Sequence, residues 1–140
     1  MMNLAIVEAE KAKGEIAVGA IIVKNGEVIS SAYNKKEKLN DVTAHAEILA
    51  IREAEKKLDR WRLEDCEMYV TLEPCPMCAW AIVQSRLKSV YFGSYDTNYG
   101  ALGSVIDVRK LANSPLKVYG GIMEKECDLI LKKCFENLRK

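Results

Sequence analysis

The feature that most constrains the fold is a two-residue turn, Asn25-Gly26, set between two apolar segments rich in β-branched residues. Asn-Gly is the dipeptide that type I′ hairpins prefer, because both of its positions require a positive φ. Residues 16–23 and 28–33 are therefore predicted to pair as antiparallel strands. A sheet built around this hairpin is mixed rather than purely parallel.

Helical and strand patterns alternate along the rest of the chain. Helices are predicted over residues 2–12, over residues 43–58, and from the Pro74-Cys75-Pro76 junction to about residue 86. The second helix has Thr43 or Asp41 as its candidate cap. Further strands are predicted over residues 68–72, 89–93 and 116–119. A last helix carries an apolar stripe of Met123, Cys127, Ile130, Leu131, Cys134 and Leu138.

This order of elements predicts an α/β fold in one domain that spans residues 1–140. Five strands form a mixed central sheet, and helices cover it in three α/β/α layers. The length is sufficient for a hydrophobic core without disulfide staples.

Composition limits the compartment and the partners. Hydrophobic residues make up 49% of the chain and charged residues 29%, as in an ordered globular protein. The sequence contains no run of 18 apolar residues, so no membrane span is predicted. Its first residues lack the basic and apolar regions of a signal peptide. A cytoplasmic protein is therefore expected. A net charge of +1 neither indicates nor excludes a nucleic-acid partner. The basic residues Lys132, Lys133, Arg139 and Lys140 fit either a solvated helix end or an RNA contact.

Few residues of the chain are of the types that bind a transition metal, and two of them are spaced as ligands of one metal ion. The chain has one histidine, His45, and five cysteines, of which Cys75 and Cys78 form a C-x-x-C pair at a predicted helix start. Three nitrogen and sulfur ligands that leave one position for water make a catalytic zinc site. We therefore predict that His45, Cys75 and Cys78 bind Zn²⁺, between two helix N-termini that favour negative charge.

Two other interpretations of the C-x-x-C pair remain. A redox-active pair would leave His45 without a role. A structural zinc site would need a fourth ligand, for which Cys66 is the spare cysteine nearby.

Glu47 is the candidate acid–base group. It shares one face of the second predicted helix with Ile51, Ala54 and Leu58, at spacings of four, three and four. A carboxylate on a core-facing stripe, two residues from a metal ligand, suits a proton shuttle. It would take a proton from a zinc-activated water and deliver it to a ring nitrogen and then to a departing amino group.

The pattern H-x-E followed by P-C-x-x-C is the signature of zinc nucleobase deaminases. The wider stretches Thr43-Ala44-His45-Ala46-Glu47 and Tyr69-Val70-Thr71-Leu72-Glu73-Pro74-Cys75-Pro76-Met77-Cys78-Ala79 resemble the bacterial tRNA adenosine deaminases. The resemblance extends from about Ile16 into the last helix. It implies a cytidine-deaminase-like fold and zinc-dependent conversion of the wobble adenosine of a tRNA to inosine.

The resemblance also implies roles for individual residues. His45, Cys75 and Cys78 would bind zinc and Glu47 would be the acid–base. Asn34 would hydrogen-bond the flipped base and Asp96 would face the flanking nucleotides, although either could instead be a turn residue. The resemblance adds further substrate-binding positions at Val18, Leu72 and Glu73. The family acts as a homodimer, and the anticodon loop contacts both subunits.

The chain departs from the family pattern away from the zinc motif. Ala17 stands where a proline is frequent, and Trp80 stands where a glycine is usual. Asn113-Ser114 replaces Asn-His, and Cys134-Phe135 replaces a pair of phenylalanines. These departures concern substrate and RNA contacts more than chemistry. Trp80 is expected to alter packing near the start of its helix, at the dimer seam.

Two other functions are compatible with the motif. The first is a deaminase of a free base, guanine or cytosine, for which Asn40-Asp41 ahead of the histidine is a mild indication of guanine. The second is a non-catalytic zinc module that binds RNA or a partner. An intact Glu47 argues against this last function.

Overall fold

In the computed structural model, which describes residues 1–138, the core is a mixed sheet. Within that range the strands are β1 (Gly19–Lys24), β2 (Glu27–Tyr33), β3 (Cys66–Leu72), β4 (Ser89–Ser94) and β5 (Lys117–Tyr119). Their order across the sheet is β2-β1-β3-β4-β5. β1 is antiparallel to both of its neighbours, whereas β3, β4 and β5 run parallel. The predicted mixed, five-stranded sheet is confirmed.

The hairpin forms as predicted. Lys24 pairs with Glu27, and Asn25 and Gly26 between them have φ values of 52° and 76°, the left-handed backbone of a type I′ turn. β1 begins at Gly19, three residues later than predicted. The backbone before it is held by side chains instead of by a strand: the N–H of Ala17 donates to Cys134 Sγ at 3.3 Å, and the carbonyl of Ile16 accepts from Asn34 Nδ2 at 3.1 Å.

Helices cover both faces of the sheet, as three α/β/α layers require. Over the described residues they are α1 (Met2–Glu10), α2 (Ala46–Leu58), α3 (Pro76–Gln84), α4 (Arg109–Ala112) and α5 (Glu124–Leu138). α2 and α3 lie on one face, over the larger hydrophobic core, and α1 and α5 lie on the other. The short α4 was not predicted, because four residues are too few to show a helical period.

The start of α2 differs from the prediction. Neither Thr43 nor Asp41 caps the helix; His45 is its N-cap residue and Ala46 its first residue. Asp41 is engaged in a turn before the helix, where its Oδ1 accepts from the N–H and the hydroxyl of Thr43 at 2.8 and 2.7 Å. The turn delays the helix by about one turn, and it places His45 at the helix end.

α1 lies unusually close to the sheet at Gly19. A Cβ atom at this position would meet the carbonyl oxygen of Ala5 at 2.1 Å and the amide nitrogen of Ala9 at 2.4 Å, so the packing requires glycine. α5, on the same face of the sheet as α1, buries less of its predicted stripe than expected. Cys127 and Cys134 are buried, Ile130 and Leu131 are half-buried, and Met123 and Leu138 are exposed.

Ala17 and Ser114 each make a hydrogen bond. The Ala17 N–H, which a proline at this position would lack, donates to Cys134 Sγ. Ser114 Oγ accepts from the N–H of Leu116 at 3.2 Å, which closes the turn before β5. Trp80 is 40% exposed on α3. Arg139 and Lys140 of the predicted basic helix end lie outside the described residues.

Within residues 1–138, no helix combines the length and the apolarity that crossing a bilayer requires.

Candidate metal centre and substrate pocket

Two helix N-termini meet at the carboxyl end of β3. His45 is the N-cap of α2 and Cys75 the N-cap of α3, and Cys78 lies in the first turn of α3. His45 Nδ1 is 3.7 Å from Cys75 Sγ and 3.3 Å from Cys78 Sγ. All three ligand atoms lie within 4.8 Å of one another. The structure therefore brings together the three residues that the sequence predicted as ligands.

The local sequence explains why both cysteines point to one site. Cys75 has an extended backbone, with φ −72° and ψ 172°, and Pro76 occupies the first helical position, where its missing N–H costs no hydrogen bond. The carbonyl of Cys75 accepts from the N–H of Ala79 at 2.8 Å, which starts the helix. One helical turn then separates the two thiols, so both face the same point.

The donor set fits zinc. Zinc–sulfur and zinc–nitrogen bonds of about 2.3 and 2.0 Å in a tetrahedron place a sulfur and a nitrogen ligand roughly 3.6 Å apart. The two Nδ1–Sγ distances lie close to that value. Cys66 is at the opposite end of β3, where its thiol donates to Asp65, and it is not part of the cluster. Three protein ligands leave a fourth position open, as in catalytic sites.

The site favours a deprotonated thiol. A hydrogen bond from the Cys78 thiol, with a further one from His45, lowers the pKa of Cys75 to about 4 even though burial opposes it. The same Cys75 contact and burial raise the pKa of Cys78. The hydrogen bond to Cys75 also raises the pKa of His45. The positive potential of the two helix N-termini adds to the preference for an anionic sulfur at this site.

Glu47 stands beside these ligands in the first turn of α2. Its side chain is buried, with 4% of the residue exposed. Burial raises the pKa of Glu47 to about 7, and the negative charge of Cys75 adds to this effect. A carboxyl group poised near neutrality, next to a metal site but outside the ligand set, can accept and return a proton.

A pocket of about 290 Å³ opens onto this group of residues. Ligand pockets range from about 300 to 1,000 Å³, so this one has the size for a small ring and not for a large cofactor. Its walls include eight of the nine residues that the sequence placed at the site: Val18, Asn34, His45, Glu47, Leu72, Glu73, Cys75 and Asp96. The ninth, Cys78, is fully buried behind them.

Glu73 has a structural task that the sequence did not reveal. Its carboxylate is buried and accepts from the N–H groups of Asp96, Leu102 and Ser104 at 3.2, 3.1 and 3.1 Å, and also from the Ser104 hydroxyl. These contacts pin the loop after β4 against the pocket. A Cβ atom at Gly100 would lie 2.5 Å from the same carboxylate, so the loop also requires glycine there.

The other predicted substrate-binding residues lie on different walls. Asn34 is buried after β2, where its Nδ2 donates to the Ile16 carbonyl and its Oδ1 accepts from the Lys36 N–H at 3.3 Å. Asp96 Oδ1 accepts from the N–H groups of Asn98 and Tyr99 at 3.0 Å each. Asn34 and Asp96 therefore both shape turns, which is the alternative role that the sequence analysis gave them. Both also line the pocket.

Four pocket-lining residues were not among the predicted site residues: Ile16, Lys36, Ala46 and Tyr99. Ile16 was predicted to be part of the first strand, but that strand begins only at Gly19. Lys36 and Tyr99 lie in polar loops without periodicity, so no sequence pattern distinguishes them from solvated loop residues.

Comparisons with known proteins agree with this geometry. Residues 1–94 match the family model of the cytidine and deoxycytidylate deaminase zinc-binding region. A tRNA-specific adenosine deaminase of Bacillus subtilis (strain 168) is 46% identical over 143 aligned residues, which cover 99% of this chain and 89% of that protein. A solved structure from work on A-to-I editing by tRNA:A34 deaminases has a TM-score of 0.86 and 42% identity, with 92% of this chain and 96% of that chain covered. A guanine deaminase from Bacillus subtilis has a TM-score of 0.66 and 37% identity, with coverage of 80% and 72%.

Proposed function

Because this chain belongs to the family of cytidine and deoxycytidylate deaminases, and within it to the tRNA-specific adenosine deaminases, we propose that it converts the wobble adenosine of a tRNA to inosine. The observation that carries the proposal is a cluster of His45, Cys75 and Cys78 that borders, together with Glu47, one base-sized pocket. The chain is also 46% identical to such an enzyme, with 99% of this chain and 89% of that protein covered. The overall reaction adds water at C6 of adenine and releases ammonia.

His45, Cys75 and Cys78 are the residues that would hold the zinc ion. When bound, zinc acts as a Lewis acid and lowers the pKa of water at its open position, so that a nucleophile is available at neutral pH. The two helix N-termini add positive potential around the anionic ligands.

Glu47 moves the protons. Its carboxylate accepts a proton as the water oxygen bonds to C6, and the resulting carboxyl group donates that proton to N1 of the ring. The proton of the new C6 hydroxyl group passes by way of Glu47 to the exocyclic nitrogen as the C6–N6 bond breaks, so that C6 becomes a carbonyl carbon and the amino group leaves as ammonia. Burial raises the pKa of the Glu47 carboxyl group, which favours its protonated form as the proton donor.

The remaining pocket residues position the base. Val18 and Leu72 supply apolar surface to the pocket. The Asn34 amide donates one hydrogen bond, to the Ile16 carbonyl, and its second N–H can donate to the polar edge of the base. Asp96 and Glu73 set the loop that forms the far wall. A base in an anticodon loop can enter such a pocket without duplex melting.

A free-base guanine deaminase is the second candidate. The guanine deaminase from Bacillus subtilis is 37% identical, but it covers less of the chain and superposes with a lower TM-score than the structure from the tRNA:A34 deaminase work. A non-catalytic module is disfavoured by a buried Glu47 beside the ligands, since an isolated buried carboxyl group is costly without a task.

The proposal includes a cytoplasmic homodimer with the anticodon loop of tRNA as its partner. Exposed apolar residues on α3, Met77 at 36% and Trp80 at 40%, support an interface on the face that α2 and α3 form.

Ammonia release from zinc-loaded protein tests the proposed substrate. The panel consists of an arginine anticodon stem-loop with A at the wobble position, the same loop with G there, and free adenosine, guanine, cytosine and cytidine. We expect turnover of the A-containing loop alone. Turnover of free guanine, with the loop inert, would instead support the second candidate.

A further inference from the structure

Tyr99 places a large ring at the pocket mouth without burying it. It lines the pocket together with Asp96 and Lys36, yet 69% of its surface is exposed. Among the pocket-lining residues of the described chain, it is the one residue with a phenyl ring. Thr97 and Asn98 before it are also exposed, whereas Gly100 and Ala101 after it are buried, so Tyr99 stands where the exposed part of the loop meets its buried part.

The backbone that carries Tyr99 is fixed from two directions. Its N–H donates to Asp96 Oδ1 at 3.0 Å, and the N–H of Gly100 donates to the Asp96 carbonyl at 2.9 Å. Asp96 is itself held, because its N–H donates to the buried Glu73 carboxylate at 3.2 Å. The ring therefore projects from an ordered turn, and little further ordering of the backbone is required when a ligand contacts it.

An exposed ring and a basic side chain that line the same pocket suit the binding of single-stranded nucleic acid. Bases stack on aromatic side chains without sequence preference, while ammonium groups attract the backbone phosphates. Lys36 lies on the pocket wall formed by the segment after β2, and Tyr99 lies on the wall formed by the loop after β4. A free base held entirely inside the pocket would gain nothing from a ring exposed at the pocket mouth. The nucleotides next to a flipped base, in contrast, remain outside the pocket, where such a ring can contact them.

We infer that Tyr99 stacks on the nucleobase adjacent to the wobble adenosine and thereby selects a loop nucleotide over a free nucleoside. The inference rests on the proposed function, because it takes the flipped base of an RNA loop as the occupant of the pocket. The chemical class that it assigns to the pocket mouth is an unpaired base of single-stranded RNA.

Fluorescence of 2-aminopurine tests the contact independently of turnover. The probe replaces the nucleotide on either side of the wobble adenosine in an anticodon stem-loop, and zinc-loaded protein is titrated into it. With the wild type and Tyr99→Phe, fluorescence at one of the two positions should be quenched at saturation. With Tyr99→Ala, the quenching should be lost and the dissociation constant should rise by about 10-fold, within the range of one base–aromatic stack. Leu111→Ala, at a residue 79% exposed outside the pocket lining, is the control and should behave as wild type.

The outcomes separate the inference from the proposed function. Absence of inosine together with Tyr99-dependent quenching would contradict the proposed function while supporting the stack. Inosine formation with equal quenching and equal affinity in Tyr99→Ala would overturn the inference. A Tyr99→Ala change that alters the sedimentation of the protein, with quenching retained, would assign the ring to a protein interface and would also overturn it.

Discussion

His45 Nδ1 lies 3.3 Å from Cys78 Sγ, although 33 residues separate them in the sequence. The contact joins the N-termini of α2 and α3. Because β1 is antiparallel to both β2 and β3, these two strands end at the same edge of the sheet, and the chain continues from them to α2 and α3. The ligand set is thus a product of the fold, and a metal bound there links two helices of the same layer. Metal affinity and fold stability should therefore change together.

Cys75→Ala should lose zinc and stability. The wild type should carry about one zinc per chain and the variant far less. Its unfolding free energy should be lower by about 2.7–4.1 kcal/mol when free zinc exceeds the wild-type dissociation constant by about 100- to 1,000-fold. Elemental analysis and urea unfolding measure the two effects. Cys134→Ser, at a buried cysteine on α5, should keep its zinc; full zinc stoichiometry in Cys75→Ala would contradict the ligand assignment.

In the zinc-free protein, the thiol of Cys75 should react faster than those of Cys66 and Cys127. The pKa of Cys75 is lowered to about 4, while burial raises the pKa values of Cys66 and Cys127 to about 11. At pH 6, which is above the first value and far below the others, Cys75 is a thiolate and the other two are thiols. Iodoacetamide should therefore modify Cys75 first, and added zinc should protect it. Peptide mass spectrometry reads the sites, and equal rates at Cys75 and Cys66 would refute the ranking.

Glu73→Gln should loosen the pocket wall. The amide replaces one acceptor oxygen of Glu73 with a donor that faces backbone N–H groups, so at least one buried hydrogen bond is lost. We expect about 1–3 kcal/mol of lost unfolding free energy in urea with zinc present. Glu64→Gln is the matched control, because Glu64 forms only a solvent-exposed ion pair with Arg62, and its effect should stay within about 0.5 kcal/mol. Equal stability of the two variants would show that the Glu73 contacts contribute nothing.

Trp80→Ala should weaken self-association. Trp80 exposes 40% of its surface on α3, whereas Phe135 exposes 46% on α5 in the opposite layer. If the dimer forms through the face of α2 and α3, sedimentation equilibrium should show a higher dissociation constant for Trp80→Ala and an unchanged one for Phe135→Ala. An unaltered oligomer in Trp80→Ala would remove this tryptophan from the seam.

The hairpin and the two thiol ligands could be predicted because their signals are local. The Asn25-Gly26 turn fixes the hairpin, and the spacing of Cys75 and Cys78 places two thiols on one helical turn. His45 could be added to them because it is the one histidine of the chain. The start of α2 could not be predicted, because whether Asp41 caps the helix or closes the preceding turn depends on the path of the chain. The task of Glu73 was also hidden, since its partners lie 23 to 31 residues further along. Tyr99 is known to face the pocket only once that loop is placed.

The most direct test of the account is to compare the zinc-loaded wild type with Glu47→Gln on a stem-loop that carries the wobble adenosine, with inosine measured by mass spectrometry of the digested RNA. Glu55→Gln, on the same helix, is the control. The account predicts inosine with the wild type and the control, and a rate about 10²- to 10⁴-fold lower in Glu47→Gln with its zinc retained. Near-normal inosine formation by zinc-loaded Glu47→Gln would contradict the central claim that this buried carboxyl group carries the protons of the reaction.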